Sequence, residues 1–301
     1  MVSYIRGLAY KLPVMRGEDV LAVQLQLIKL GYDVHPDGLF DARTKTAVEK
    51  IQRDLDLKVD GIVGPLTWRR IFEKKQAAKK ETPLLPFLPE IIKPHRFRDG
   101  CSWKLTKLGI SVDEKDPETT GGDPKTIKKV WNQFGHSIEE WGEKFGVPVE
   151  LIMATICTES GGDPSTVREE PGYRSDTATP DKVSPGLMQT LISTARDTLA
   201  DPAIDRRWLN NPDNAIRAGV AYITSQRKIT HLDPPKVACA YNAGSVYYNN
   251  GEGNRWKMRQ YPINTSHHAD RFVKWFNDCF RFFKQENIAP SGSFYRLLSQ
   301  E

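Results

Sequence analysis

The chain has 301 residues, of which 39% are hydrophobic and 27% are charged. That length predicts two domains, and seven Trp, ten Tyr and twelve Phe exclude a disordered chain. No stretch approaches the ~20 consecutive apolar residues of a membrane-spanning helix, and the N-terminal residues show no apolar signal segment. We therefore expect a protein that is made and folded in a cytoplasm and does not insert into a membrane.

The net charge of +5 is concentrated at the N-terminal end. Residues 1–80 hold 15 Lys and Arg against 10 Asp and Glu, whereas the remaining residues hold 28 of each. Such a basic part fits either an anionic polymer, for example nucleic acid or a cell envelope, or a solvated tail. The widely spaced cysteines form no Cys-x-x-Cys pair and are predicted to be free, buried thiols. They are Cys101, Cys157, Cys239 and Cys279.

An internal repeat occupies the first seventy-five residues. Asp37-Gly38-Leu39-Phe40, followed by Thr44, recurs 23 residues later as Asp60-Gly61-Ile62-Val63, followed by Thr67. In each copy Asp-Gly predicts a tight turn with a positive glycine φ, and the threonine can cap or open the next helix. Apolar residues at helical spacing precede and separate the copies. They are Val20, Val23, Leu27 and Leu30, then Val48, Ile51 and Leu55. The pattern predicts a three-helix module of roughly 60 residues.

This N-terminal part resembles the peptidoglycan-binding domain found on many cell-wall hydrolases. The resemblance covers residues 14–73 and depends on the two Asp-Gly turns and the closing Thr-Trp being in register. Asp41 stands where the family usually has a second glycine. We expect the Asp-Gly turns only to shape the loops, and exposed polar and aromatic groups beside them, such as Tyr32 and Trp68, to contact the wall.

A Lys/Pro-rich linker is predicted over residues 76–100. Prolines at this density favour an extended, semi-stiff spacer. They are Pro83, Pro86, Pro89 and Pro94. Leu84, Leu85, Phe87 and Leu88 are too apolar for a free linker, so part of it should pack on a neighbouring domain. The predicted division is therefore 1–75 for the binding domain, 76–100 for the linker and 101–301 for the catalytic domain.

The second half contains a candidate general acid. Its pattern is helical almost throughout residues 124–232, and an apolar helix that starts at Pro148 runs into Glu159, just before Gly161-Gly162. A carboxylate at the end of an apolar helix should be partly desolvated, which raises its pKa towards the range that a general acid needs. Alone, this feature is equally typical of a solvated helix end.

Two polar clusters follow Glu159 along the chain. In residues 184–189 a turn precedes the side-chain amide of Gln189. In residues 240–244 an apolar helix ends with the phenol of Tyr241 and the amide of Asn242. These groups suit a sugar polymer that carries N-acetyl groups, although each cluster is also ordinary turn chemistry. In order, Glu-Ser, Gly-Leu-Met-Gln and Ala-Tyr-Asn-Ala-Gly resemble the lysozyme-like lytic transglycosylase family, which includes goose-type lysozymes, over about residues 127–250.

The resemblance implies a role for each matched residue. Glu159 would be the catalytic acid and then the base, and Ser160 would support the geometry of the site. The implied substrate-binding residues are Ser160, Ser184, Met188, Gln189, Tyr241 and Asn242. Of these, Ser184 matches the serine that hydrogen-bonds the acid, Met188 and Gln189 would contact the sugar, and Tyr241 and Asn242 would line the cleft.

Two departures from the family pattern accompany these matches. A segment of 25 residues, 161–185, separates Glu-Ser from Gly-Leu-Met-Gln, and it could supply a second catalytic carboxylate. Its acidic residues include Glu169, Glu170, Asp176 and Asp181. The family also tends to have a late Thr…Tyr-Val motif, whereas this chain has Thr265…Phe272-Val273. The hydroxyl is therefore missing or comes from elsewhere, such as Tyr261.

Other kinds of protein also fit parts of this sequence. A cysteine peptidase could use Cys101 with His136 as its partner. A zinc amidase is disfavoured because the adjacent His267 and His268 cannot share one helix face as His-x-x-x-His ligands do. A virion protein that binds peptidoglycan without cleaving it is a third alternative. We expect no metal and no cofactor.

The sequence thus predicts a mainly α fold, with a small three-helix peptidoglycan-binding module and a lysozyme-like α-helical catalytic domain. As a whole it resembles a modular phage endolysin. The expected reaction cleaves the MurNAc-GlcNAc β-1,4 bond as a lytic transglycosylase, giving 1,6-anhydroMurNAc ends, with goose-type lysozyme-like hydrolysis as the alternative. The expected partner is the peptidoglycan glycan strand, not nucleic acid. We further expect a monomer that stays in the host bacterial cytoplasm until lysis and then acts on the cell wall.

Overall fold

The chain folds into two compact units, Met1–Lys80 and Glu81–Glu301. The computed structural model describes residues 4–55, 57–73 and 86–299. About 49% of the described residues are helical, which confirms the mainly α prediction. Within these described ranges, no helix is both long and apolar enough to cross a membrane.

The first unit contains three helices in its described part. They are α1 (Glu18–Lys29), α2 (Ala42–Asp54) and α3 (Pro65–Glu73). The apolar residues at helical spacing point inward, and Val20, Leu27, Phe40, Val48 and Ile51 are all 0% exposed. Burial of this shared apolar face holds the helices together, so the predicted three-helix module is confirmed.

A buried glutamine holds each of the two Asp-Gly turns. Gln24 Nε2 donates to Asp37 Oδ1 at 3.0 Å, and Gln24 Oε1 accepts from the Gly38 amide at 2.8 Å. Gln52 makes the same pair of bonds to the second turn, both at 2.9 Å. The glycine φ angles are +73° and +67°, as the turn chemistry requires. The repeat in the sequence is therefore a repeat of one hydrogen-bonded unit.

Two predictions for this unit are wrong. Asp41, not Thr44, caps α2, because the Asp41 carboxylate accepts from the Thr44 amide at 2.7 Å and from Thr44 Oγ1 at 2.8 Å. Trp68 is only 5% exposed and stacks on Phe72 with ring centroids 4.5 Å apart. Trp68 is therefore a core residue and not a wall contact. Tyr32 is half-buried and its hydroxyl donates to Asp54.

The predicted linker is described only in its second half. Residues 74–85, which include Pro83, Leu84 and Leu85, lie outside the described residues. Leu88–Ile91 form the short helix α4, and Leu88 and Ile91 belong to the core of the second unit. An extended spacer is therefore wrong for these four residues, because Pro89 occupies the first turn, where its missing N–H is no loss. The domain boundaries stay predictions.

The described part of the second unit contains two small antiparallel sheets and most of the helices. One sheet has the strand order β1 (His95–Arg96), β2 (Ser102–Thr106) and β3 (Gly109–Val112). The other pairs β4 (Val167–Glu169) with β5 (Val183–Pro185). The helices are α5 (Lys125–Phe145), α6 (Val149–Glu159), α7 (Ile192–Leu199), α8 (Arg206–Leu209), α9 (Pro212–Ser225), α10 (Arg227–Thr230), α11 (Pro234–Ala243), α12 (His267–Glu286) and α13 (Phe294–Ser299), with a 3-10 turn at Pro180–Lys182.

Helix α6 forms the centre of this unit. Its residues from Val149 to Thr158 are all buried, and it packs mainly against α12 and α5. The preceding α5 ends at Phe145, and Gly146 after it forms a left-handed C-cap with a φ of +66°. A helix that is buried on every side belongs to a core, so α6 carries its last residue, Glu159, to the point where the chain leaves that core.

Candidate active site

Glu159 combines low exposure with partial access to solvent. Its side chain is 17% exposed. Burial raises the pKa of Glu159 to about 7, against the opposing charges of Arg271 and Arg168, which lower it. At neutral pH the carboxyl group is therefore divided between its protonated and ionised forms, so it can both donate and accept a proton.

Ser160 ties the end of α6 to the Gly-Leu-Met-Gln segment. Its hydroxyl donates to the Leu187 carbonyl at 2.7 Å and accepts from the Gly162 amide at 3.3 Å. These bonds join two segments that meet beside Glu159. The geometry agrees with a supporting role, which stays a prediction.

Tyr241 lies near Glu159 on α11, but its hydroxyl is already engaged. It is 9% exposed, donates to the Met188 carbonyl at 2.8 Å and lies 2.9 Å from Thr190 Oγ1. Burial raises the pKa of Tyr241, and the nearby charge of Glu159 raises it further. The phenol therefore fixes the wall of the site and remains protonated.

Met188 and Gln189 differ from what the resemblance implies. The Met188 side chain is 0% exposed and fills the space beside Gly219, where a Cβ would lie 2.5 Å from its Sδ. Direct contact between Met188 and a sugar is therefore wrong for this structure. Gln189 Nε2 donates to the carbonyls of Thr166 at 2.9 Å and Gly186 at 2.7 Å. Both amide hydrogens are thus used within the loop.

Ser184 and Asn242 also bond to protein groups. Ser184 is 5% exposed, and its hydroxyl donates to Gln189 Oε1 at 3.5 Å. The serine that was expected beside the catalytic acid therefore contacts Gln189 instead. Asn242 Oδ1 accepts from the Tyr261 amide at 2.6 Å, which holds the loop that carries the 52% exposed Tyr261 side chain.

His268 is the neighbour of Glu159 that sequence reasoning missed. Its Nε2 lies 3.6 Å from Glu159 Oε1, and its side chain is 5% exposed. A signal was present, because His268, Phe272 and Phe276 follow one another at helical spacing and share the buried face of α12. The described residues contain no group of three His, Cys, Asp or Glu side chains that could hold a metal ion.

The acidic residues of the 161–185 segment are mostly engaged in ion pairs. Arg206 binds Asp176 through two hydrogen bonds, of 2.9 and 2.7 Å, and Glu169 Oε1 at 2.9 Å. The Arg206 guanidinium holds the pKa of Asp176 below its usual range. Arg168 pairs with Glu170 at 2.7 Å. These three carboxylates are therefore held by arginines.

The cysteine-peptidase alternative lacks a competent nucleophile. The four cysteines are free thiols, as predicted, although Cys101 is only partly buried. Burial raises the pKa of Cys101 to about 12, so its thiol stays protonated and unreactive at neutral pH. Its proposed partner His136 is 85% exposed in its side chain and lies 3.7 Å from Glu140.

Comparison with known families agrees with this geometry. Residues 16–71 match the family described as "Putative peptidoglycan binding domain", and residues 136–268 match the family described as "Transglycosylase SLT domain". The chain joins a peptidoglycan-binding domain to a transglycosylase SLT domain. Glu159 and His268 both lie within the second match.

Individual relatives match parts of the chain. An uncharacterised protein in the bpoA1 3' region of Kitasatospora aureofaciens is 42% identical over 72 residues, which are 23% of this chain and 58% of that protein. The endo-type membrane-bound lytic murein transglycosylase A of Citrobacter koseri is 29% identical over 163 residues, which are 51% of this chain and 68% of that protein. The crystal structure of the Burkholderia AP3 phage endolysin is 14% identical, with a TM-score of 0.28 over 92% of this chain and 100% of that one.

Proposed function

We propose that this chain cleaves the glycan strands of peptidoglycan between MurNAc and GlcNAc as a lytic transglycosylase, with Glu159 as both acid and base. The proposal depends on the protonation state of Glu159. Its carboxyl group is partly exposed, and burial raises its pKa to about 7. The match of residues 136–268 to a transglycosylase domain supports the proposal.

In the first step, protonated Glu159 donates its proton to the glycosidic oxygen, and the bond between that oxygen and C1 of MurNAc breaks. The acetamido group of the same sugar assists the departure of the leaving group. The Glu159 carboxylate then takes the proton of the MurNAc C6 hydroxyl, whose oxygen bonds to C1. The product is a 1,6-anhydro ring, and no water is consumed. A pKa near neutrality suits a group that must perform both transfers.

The surroundings of Glu159 favour this route over hydrolysis. A glycosidase of the usual kind needs a second carboxylate at ~5 Å or ~6.5–9.5 Å from the first. Asp176 is bound by Arg206, and Asp181 is exposed on the Pro180–Lys182 turn. The charges that shift the pKa of Glu159 are two arginines. Glu159 alone therefore supplies the acid and base chemistry.

The N-terminal unit would hold the enzyme at its substrate. Its match to a peptidoglycan-binding family supports a tether, and tethering raises the local concentration of the catalytic domain at the wall. We include in the proposal the division 1–75, 76–100 and 101–301, a monomeric state, and the role of an endolysin that stays in the host cytoplasm until lysis.

The nature of the released muropeptides tests the reaction. Purified sacculi are digested in water enriched in oxygen-18 and the products are analysed by mass spectrometry, with a lysozyme digest beside them. We expect products that are lighter than the lysozyme products by one water molecule and contain no heavy oxygen at the new end. Reducing ends that carry oxygen-18 would show a hydrolase instead.

A further inference from the structure

His268 reaches Glu159 through the packing of two helices. It is the second residue of α12, and α12 lies against α6, whose last residue is Glu159. The His268 side chain is 5% exposed, and its Nε2 lies 3.6 Å from Glu159 Oε1. Catalytic hydrogen bonds are often this long without substrate and shorten in the complex.

The ring of His268 is neutral at the pH where Glu159 titrates. Burial and, to a smaller extent, the charges of Arg271 and Arg168 lower the pKa of His268 to about 3. Tyr241, another titratable neighbour of Glu159, stays protonated. A neutral imidazole has one N–H donor and one acceptor nitrogen, so His268 contacts Glu159 as a hydrogen-bonding group and not as a counter-ion.

We propose that His268 is the positioning residue of Glu159: Nε2–H donates to Glu159 Oε1 when the carboxyl group is ionised, which leaves Oε2 to exchange protons with the substrate. The proposal rests on the proposed function. Phe272, which stands where the family's late motif has a tyrosine, offers no polar group to Glu159. His268 itself gains and loses no proton.

Two replacements separate positioning from packing. His268→Phe keeps a buried ring but removes the donor, whereas His268→Gln keeps an N–H donor. We expect His268→Phe to lower kcat about tenfold with little change in KM, and His268→Gln to recover most of that loss. His267→Gln, on the exposed neighbouring residue, is the matched control and should behave as the unchanged chain.

The pKa of Glu159 gives a readout that packing would not move. Because a donor stabilises the carboxylate, its loss in His268→Phe should raise the pKa of Glu159 by about one unit, seen as a basic limb of kcat/KM displaced to higher pH. Equal losses in both variants, with an unmoved basic limb, would overturn the proposal. So would full activity of His268→Phe.

A direct titration keeps this inference separate from the proposed reaction. The carboxyl carbon of Glu159 is followed by ¹³C NMR against pH, with Glu159→Gln to assign the signal, and His268 is followed by ¹⁵N NMR in the unchanged chain. We expect a neutral His268 ring, protonated at Nε2, from pH 5 to 8. A His268 ring that protonates near pH 6.5 would refute the positioning role, even if the muropeptides carry 1,6-anhydro ends. Conversely, oxygen-18 in the products would refute the reaction and leave the titration valid.

Discussion

Helix α6 carries a carboxylate near each end, and burial raises the pKa of both to about 7. Glu150, in the first turn, is 0% exposed and accepts hydrogen bonds from the amides of Phe294 at 3.1 Å and Tyr295 at 2.8 Å. Glu159, at the last turn, is 17% exposed in its side chain and faces a histidine. Both groups hold their protons to neutral pH, but only one can pass a proton to a ligand.

The comparison teaches that a raised pKa does not by itself identify a catalytic acid. The oxygens of Glu150 cap α13 from inside the protein, so its role is to dock the C-terminal helix. Accessibility and free bonding capacity distinguish Glu159, and these depend on what surrounds each end of the helix. Four experiments can separate the two ends further.

The largest expected effect is the loss of activity in Glu159→Gln. The amide keeps the shape of the side chain but has no transferable proton, so lysis of sacculi should slow by at least ~100-fold. Binding to sacculi, measured by co-sedimentation, should be unchanged. The assignment of Glu159 fails if turbidity of permeabilised Gram-negative cells falls at a near-normal rate with this variant.

The second effect is a loss of stability with rising pH. Both carboxyl groups have an ordinary pKa of 4.5 that burial raises to about 7. Below pH 4.5 each carboxyl group is protonated in the folded and the unfolded chain alike. Neither group then lowers the free energy of unfolding. Stability is lost as the pH rises through 7, because the unfolded chain releases these protons first.

Each group should contribute about 3 kcal/mol to this loss, somewhat less for the partly exposed Glu159. Urea unfolding at pH 4.5, 6 and 8 measures it. Glu150→Gln and Glu159→Gln should each remove their own share of the pH dependence. A pH dependence that is unchanged in both variants contradicts the buried character of these groups.

The third effect is the stability cost of Glu150→Gln at low pH. An amide can accept from only one of the two amide donors of α13, so the variant should lose about 1–3 kcal/mol at pH 5. The cost should shrink at pH 8, where the unchanged chain carries the penalty of a buried charge. The rate per folded molecule should stay near normal. A large rate loss with an unchanged unfolding curve would give Glu150 a share in catalysis.

The smallest effect is expected from the carboxylates outside α6. Asp176→Asn should change turnover by less than about threefold, because Asp176 is bound to Arg206 and partly exposed ion pairs contribute only ~1 kcal/mol or less. Asp181→Asn, on the exposed turn, is the matched control. If Asp176→Asn alone lowers turnover as strongly as Glu159→Gln, Glu159 has a second acid as its partner and the route is hydrolytic.

Local sequence patterns are sufficient to predict much of the fold and to select Glu159 as the acid. The helical spacing of apolar residues predicts α1 and α2, and the apolar run after Pro148 predicts α6, because these features depend on neighbours within a few turns. Glu159 could be selected because it ends an apolar helix within a motif. The same reasoning placed Trp68 at the surface. An aromatic residue at the edge between the buried and the exposed face of a helix can pack on either side, and the sequence does not show which.

The partner of Glu159 could not be read from the sequence. His268 is separated from it by about a hundred residues, and only the packing of α12 on α6 brings the two together. The buried glutamines were missed for another reason. Gln24 precedes its aspartate by 13 residues and Gln52 by 8, so the two glutamines do not share the 23-residue offset of the turns. The intervening loop differs in length while the hydrogen bonds are the same.

The buried glutamines have a consequence for how the N-terminal module can evolve. Each turn is fixed from its inner side, while Leu39 and Ile62, on the same turns, expose 41% and 44% of their surface. Substitutions at these outward positions leave Gln24 and Gln52 with their bonds intact, and surface changes of this kind usually alter stability by less than ~0.5 kcal/mol. The outward side chains can therefore diverge towards walls of different chemistry, provided that the two glutamines, their turns and the buried apolar face of the helices are kept.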